Sequence, residues 1–381
     1  MHVSVHVSVA KLKAALKPFA RVFRGSTVEH MRVDFLPEQG QVRLIASNGV
    51  MNFTSGLDAD VPESASVAIS HERCARIVEK LEGETVELIY DGDYLRFRGK
   101  SFELRVHTIG GDALALVNAF HGMDVCARVE LAGKKLVEAI NLVSFAASDD
   151  DARAYLKGVY IHSVSVDGGS GADRLRWVAT DGRVMAYSDL DVSGLDTEFE
   201  GVIMPTLAGR VVESMIGGQD DVVVLEILKG AVRVITSDRE LVTLCQNGSY
   251  PDYRRVIPHL RGPDRLHFTF SASQLCGAVK RVATIGKGAA SVPVQIDVDG
   301  SSLSIMSNSP DNGAASEVVD ASPVSVSDRH TTAFNGPLLG AILDKFQDAS
   351  VSFEQGDVMS PAVFRSDDIP NYRVVAMPMR S

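Results

Sequence analysis

Cysteine is scarce in this chain of 381 residues: Cys74, Cys126, Cys245 and Cys276 are its four, scattered, with no CxxC pair and no histidine at ligand spacing. That excludes a disulfide framework and a cysteine-held zinc site. It reads instead as small core residues in a reducing compartment, so a cytoplasmic protein is expected. No run approaches the roughly 18 apolar residues that cross a membrane as a helix. The opening MHVSVHVSVAKLK alternates like a strand and lacks the basic start, apolar block and small-residue cleavage site of a secretory leader. Net positive charge is lacking as well. At −11, with a pI near 5.4, the surface as a whole is not built to coat nucleic acid, which leaves only a basic surface confined to one face.

Catalytic signatures are missing in the same way. FRGKS at 97–101 imitates a phosphate loop, but Tyr94 stands where its first glycine is required. Gly286-Lys287-Gly288 ends a helical pattern, whereas a phosphate loop opens a helix. Asp297-Val298-Asp299-Gly300 imitates a calcium loop, yet its twelfth position is Asn308 rather than a bidentate glutamate. The ten histidines form no HExxH, and no GxSxG elbow occurs. Asp149, Asp150 and Asp151 remain as an acidic cluster whose plainer reading is a solvated helix terminus. No catalytic residue, metal or cofactor is expected.

What is present is a basic amphipathic helix written three times. SVAKLKAALKPFARVFR (8–24) sets Leu12, Leu16, Phe19 and Phe23 at helical spacing, with Lys11, Lys13, Lys17, Arg21 and Arg24 on its other faces and no acid. Residues 132–148 repeat the plan with Leu136, Ile140 and Val143 beside Lys134 and Lys135. Residues 271–288 do so with Leu275, Val279 and Val282 beside Lys280, Arg281 and Lys287. A solvated charged face accounts for one such helix; three copies in an acidic chain point to a surface that surrounds a polyanion. Sequence-independent phosphate contacts follow, and the absence of interleaved aromatics favours duplex over single strand.

The repeat is larger than the helix. In the first copy, strands at 31–36 and 41–46 precede an Asn48-Gly49 turn. A second helix over 70–81 then follows 67–69, and strands at 85–90, 94–98 and 101–108 close the copy. The second copy expects strands at 158–163 and 175–179, an Asp181-Gly182 turn, 201–204, a helix at 205–216, and strands at 222–228, 231–236 and 241–246. The third expects strands at 292–298, 303–307 and 331–334, a helix at 337–346, and strands at 350–354, 362–366 and 372–377. The fold class is therefore α+β, in domains 1–125, 126–260 and 261–381, each two helices packed on antiparallel sheets.

Four segments carry a resemblance to a known family. DDDARAYLKGVYIH (149–162), WVATDGRVMAYSDL (177–190), SYPDYRRVIP (249–258) and VVAMPMRS (374–381) are similar to the bacterial DNA polymerase III beta subunit, the sliding clamps. The resemblance implies a head-to-tail homodimer of three-domain protomers closing a six-domain ring, with the basic helices facing duplex DNA. It implies a non-catalytic processivity subunit that tethers the polymerase catalytic subunit, the clamp loader and repair polymerases through short hydrophobic motifs. By motif, the peptide pocket would use Leu156, Thr180, Gly182, Val184 and Met185, then Pro251, Arg255 and Val256, and from the tail Val375, Met377, Pro378, Met379 and Arg380. The ring interface would use Phe102, Leu104, Thr284 and Ile285. Two departures stand out. Arg183, Val184 and Met185 occupy positions where the family has His or Arg, then Arg, then Leu, which implies a more apolar pocket. Thr284 stands in place of an aliphatic residue. The alternatives are a clamp-like paralogue serving a repair or mobile-element polymerase, and, from another class, a metal-dependent DNA-processing enzyme using the 149–151 aspartates.

Overall fold

The computed structural model describes residues 2–111, 120, 122–165, 174–192, 195, 199–217, 221–258, 266–286, 291–299, 302–325 and 330–379, without the side chains of 323–325. Its contacts divide into two compact units. One comprises Met1–Glu138, Ile161–Arg174 and Asp191–Asn247; the other comprises Ala139–Tyr160, Leu175–Leu190 and Gly248–Ser381.

The first unit is built on a sheet of twelve strands, antiparallel throughout the registers observed. Their order is Val3–Ser8, Thr85–Tyr90, Tyr94–Arg98, Glu103–Gly110, Ala65–Ser70, His30–Leu36, Gln41–Ser47, Met51–Asp58, Arg239–Leu244, Ala231–Ile235, Val222–Leu228 and Val125–Ala132. The inward residues alternate as a half-buried pleat requires: Met51, Phe53, Ser55 and Leu57 are buried and their neighbours are not. The hydrophobic pattern does not mark strands 51–58 and 125–132: in the first, polar Ser55 takes an inward position between Phe53 and Leu57, and in the second the outer half is exposed.

The expected helix over 8–24 is two helices. Helix α1, Val9–Leu16, is capped by the Ser8 hydroxyl accepting from Lys11 N at 3.4 Å. Pro18 has no N–H for the carbonyl one turn back and its ring crowds that turn, so the helix stops and restarts as α2, Phe19–Val22. Phe19, fully buried, meets Phe53 edge-on at 5.4 Å, and Phe23 lies 4.5 Å from the ring of His71. His71 opens α3, His71–Glu79, with Ser70 as cap. The next basic helix is also shorter than its periodicity: α4 is Gly133–Val143, followed by a 3₁₀ turn Ser144–Ala146. Helix α5 is Thr206–Ile216, ended by Gly217 at φ +63°, a left-handed position that glycine takes without steric cost.

In the second unit the strand order runs Arg174–Thr180, Val184–Asp191, Tyr372–Ala376, Ala362–Arg365, Ser350–Gln355, Leu266–Ser271, Gly313–Ser325, Ser302–Ser309, Pro293–Asp299 and His330–Asn335. Helix α6, Ala272–Val282, continues as a 3₁₀ turn Ala283–Gly286 and packs on α7, Gly336–Asp344. The core is aromatic: Phe353 stacks on Phe268 at 4.8 Å and meets Phe364 edge-on at 5.2 Å. Strands 184–191, 266–271 and 313–325 were not foreseen; the last is Gly-, Ala- and Ser-rich, and its first part is largely exposed.

His71 supplies a test of this packing. Burial holds its pKa below the ordinary 6.5, with Glu72 pulling the other way. The unfolded chain therefore binds the proton first, so this contribution is present above about pH 6.5 and lost as pH falls through the lowered folded value. Urea midpoints measured between pH 7.5 and 5.5 should fall more steeply for the native chain than for His71→Phe; parallel slopes would remove the assignment.

Candidate functional site

The second unit contains an apolar cavity of about 180 Å³. Three chain segments and the tail build it. Leu156 ends a 3₁₀ segment, Asp151–Leu156, and hands its carbonyl to Ser148 N at 2.9 Å. The turn between strands Arg174–Thr180 and Val184–Asp191 places Thr180, Gly182, Arg183, Val184 and Met185 along one wall. That turn is held from inside: Asp181 Oδ1 accepts from Arg183 N at 2.7 Å and Val184 N at 2.9 Å, and Thr180 Oγ1 donates to Val184 O at 2.7 Å. Arg153 braces it from outside, donating to Asp181 O at 2.9 Å and to Asp150 Oδ2 at 2.9 Å. The third wall is Pro251, Asp252, Tyr253 and Val256, and Val375 and Met377 complete the lining.

Pairing of the tail fixes the geometry. Strand Tyr372–Ala376 registers Val375 against Met185 and Ala376 against Val184, and Met377 N donates to Arg183 O at 2.8 Å. Met379 N then donates to Ala333 O at 2.7 Å, so the chain end is tied down past the cavity. Leu156, Val184, Met185, Val375 and Tyr253 are buried, whereas Val256 is 51% and Met377 44% exposed. The site is thus a greasy floor with two apolar side chains at the mouth, the stiff Val256 and the flexible Met377. Beneath it, Arg176 lies 4.5 Å over the Tyr187 ring and grips Asp189 through two hydrogen bonds of 2.5 and 2.6 Å. Burial pushes the Tyr253 hydroxyl's pKa up, against the pull of Arg176 beside it.

Of the residues named from sequence, the cavity gathers Leu156, Thr180, Gly182, Val184, Met185, Pro251, Val256, Val375 and Met377. Arg255 does not line it; it points to solvent, paired with Asp252 at 3.3 Å. Pro378 and Met379 are half-buried beyond it, and Arg380 lies outside the described residues. Asp252 and Tyr253 line it without having been named, and so does Arg183, named only as a departure from the family pattern. Tyr253 sits inside the quoted PDYRR segment, so the signal was there.

The basic helices divide into free and engaged cations. Lys11 Nζ meets Asp58 at 2.9 Å and Lys13 Nζ donates to Leu81 O at 2.8 Å. Lys280 Nζ meets Asp344 at 2.7 Å, and Arg281 Nε meets Glu317 at 2.9 Å. Lys17, Arg21, Arg24, Lys134 and Lys135 are exposed and have no carboxylate partner among the described residues. Lys134 and Lys135 occupy the first turn of α4, where the helix dipole disfavours cations, so helix stability is not what places them there. Lys287 lies outside the described residues.

Phe102 packs against Gly99, where a Cβ would come within 2.2 Å of its ring, and Leu104 is 40% exposed on a strand whose 103–107 stretch pairs only with Tyr94–Arg98 among the described residues. Thr284 and Ile285 sit in the 3₁₀ turn after α6, Thr284 donating to Arg281 O at 2.6 Å. The Asp149–Asp151 cluster is occupied with local structure: Asp150 caps Ala152 N at 3.0 Å and pairs with Arg153, and Asp151 pairs with Lys157. No group of three His, Cys, Asp or Glu is arranged to hold a metal ion among the described residues, and none of their helices is long and apolar enough to span a membrane.

Comparison with known proteins covers the same ground. Residues 130–252 match the model of the DNA polymerase III beta subunit central domain, and residues 254–380 that of its C-terminal domain. The beta sliding clamp of Caulobacter vibrioides (strain NA1000 / CB15N) is 28% identical over 313 residues, 80% of this chain and 79% of that protein. That of Escherichia coli K12 is 23% identical over 361 residues, 91% and 93% of the two chains. The structure of a sliding clamp from Bartonella birtlesii bound to griselimycin superposes with a TM-score of 0.89 at 24% identity, covering 100% of both chains; that likeness bears on the fold.

Gly182 tests the turn that carries one cavity wall. Its φ is +89° and a Cβ would stand 3.4 Å from Arg153 Nη1. Gly182→Ala should cost about 1–2 kcal/mol in chemical denaturation. An unchanged midpoint would mean that the turn relaxes freely.

Proposed function

The chain belongs to the DNA polymerase III beta subunit family, and on that premise we propose that it is a DNA sliding clamp, encircling duplex DNA and tethering the replicative polymerase to it. The observation that carries the reading is that both family matches fall on the segments that build the apolar cavity. The protein catalyses nothing itself. It holds an enzyme near the primer end and so raises its local concentration there. The cavity is the tether: an extended peptide from the polymerase catalytic subunit, the clamp loader or a repair polymerase inserts an aliphatic or aromatic anchor, and the exposed Arg183 stands at the rim.

Helices α1, α4 and α6 face the duplex, and contact is to phosphate. In this reading Lys17, Arg21, Lys134 and Lys135 make the salt-sensitive contacts, while Lys11, Lys280 and Arg281 exchange an exposed internal partner for phosphate at small cost, since surface ion pairs contribute little. The homodimer closes through open strand edges. Residues 103–107 leave one side unpaired, and 313–320 pair only with Ser302–Ser309 among the described residues. The first edge carries Leu104 and Arg105, the second Glu317 and Asp320, so opposite charges would meet. The three-domain division at about 125 and 260 and a cytoplasmic location belong to the same proposal.

Two measurements separate the parts. Lys134→Ala with Lys135→Ala should lower retention on circular duplex and reduce the slope of log affinity against log salt by about one per lysine. An unaltered slope would remove α4 from the DNA face. Val256→Asp, at an exposed mouth position, should weaken a labelled peptide carrying adjacent Leu and Phe anchors at least about tenfold without changing DNA retention. Undiminished peptide binding would sink the pocket assignment.

A further inference from the structure

We propose that Met377 is an oxidation site through which hydroperoxides switch off partner binding, an inference that rests on the peptide-pocket reading above. Among the methionines described, Met31, Met51, Met185, Met204 and Met215 are buried to within 2%. Met377 and Met359 are the exposed ones, at 44% and 50%. Their settings differ. Met359 rides a surface turn closed on Asp357, whose carboxylate accepts from Met359 N at 2.9 Å, and it does not line the cavity. Met377 is held at the mouth by its backbone bond to Arg183 O, and it is at once solvent-exposed and part of the cavity lining.

The chemistry needs hydrogen peroxide or an organic hydroperoxide and nothing else. One peroxide oxygen transfers to Sδ: an S–O bond forms as the O–O bond breaks, the methionine is oxidised by two electrons and the peroxide is reduced to water or an alcohol. The product is a strong hydrogen-bond acceptor in place of a soft, apolar one. The floor has little to offer it: Leu156, Val184, Met185 and Val375 are apolar, the Thr180 hydroxyl already donates to Val184 O at 2.7 Å, and the Arg183 guanidinium stands at the exposed rim, where a seated peptide comes between it and the floor. A peptide anchor that seals the mouth must then strip water from the sulfoxide without replacing its hydrogen bonds, and affinity falls. Met185, opposite Val375 in the wall, is shielded from the same attack by its burial.

The experiment treats the full-length protein with hydrogen peroxide, maps sulfoxides by peptide mass spectrometry and titrates the labelled Leu-Phe peptide. Met377 and Met359 should oxidise first, affinity should fall about tenfold or more, and methionine sulfoxide reductase should restore it. Met359→Leu should lose affinity on treatment as the native chain does; Met377→Leu, whatever its own starting affinity, should keep that affinity through treatment. If Met377 resists oxidation, or its complete oxidation leaves affinity unchanged, or Met377→Leu loses affinity equally, the proposal is overturned and the pocket stands. If untreated protein fails to bind the peptide, the pocket reading falls and this proposal with it.

Discussion

The second unit depends on one strand placement: Tyr372–Ala376 lies between Val184–Asp191 and Ala362–Arg365, paired antiparallel to both. Val374, Val375 and Ala376 are buried, as a strand covered on both faces requires, and each buried valine contributes on the order of 1.5–3 kcal/mol. Tyr372 anchors its start, fully buried with its ring 5.1 Å from Phe346. Chain ends fray unless docked, and this one is docked by a complete ladder followed by the Met377 and Met379 backbone bonds. The cavity exists because that ladder stops where Met377 turns out at Arg183. A shorter or slipped tail would deprive Met185 and Leu156 of Val375 and Met377, which complete the lining.

The same placement explains what the sequence made legible. Alternation and turn residues set most strands of the three repeats, and Asn48-Gly49 and Asp181-Gly182 both form tight turns with glycine at positive φ. Among the strands that the pattern does not mark are those immediately after each of those turns, Met51–Asp58 and Val184–Asp191. On one side each return strand pairs with the strand before its turn, but on the other its partner is distant in sequence, Arg239–Leu244 or Tyr372–Ala376, and local pattern carries no mark of that second pairing. Helix lengths failed for a different reason. Apolar spacing continues through Pro18, but spacing records only which face is buried, whereas Pro18 removes a backbone donor.

The cavity lining was legible through short motifs and not through chemistry. Leu156 and Val256 taken alone look like core, and only their neighbours in AYLKG and PDYRRV set them apart. Arg255 shows the limit of that route. It belongs to the motif but stands outside the cavity, because the 3₁₀ turn Tyr253–Val256 points successive side chains in different directions: Tyr253 to the floor, Arg254 and Arg255 to solvent, Val256 to the mouth.

The charge pattern follows a related logic. A chain with a net charge of −11 cannot carry a basic face unless its acids are kept from cancelling it. Here the acids sit opposite particular cations: Asp58 at Lys11, Asp344 at Lys280, Glu317 at Arg281. Each such cation is held up in pKa, first by its hydrogen bond to the partner, and so stays charged at any pH the protein meets. Exposed pairs of this kind contribute little to stability and are screened within about 8 Å at physiological salt. On the clamp reading, they hold a long side chain extended until the closely spaced phosphates of a duplex, whose summed field exceeds that of one carboxylate, replace the partner. On the same reading, the pairs keep the basic helices quiet in the empty protein, and Lys134 and Lys135, which have no carboxylate partner among the described residues, supply the first attraction. That division favours rapid, non-specific sliding, since no single contact is costly to break.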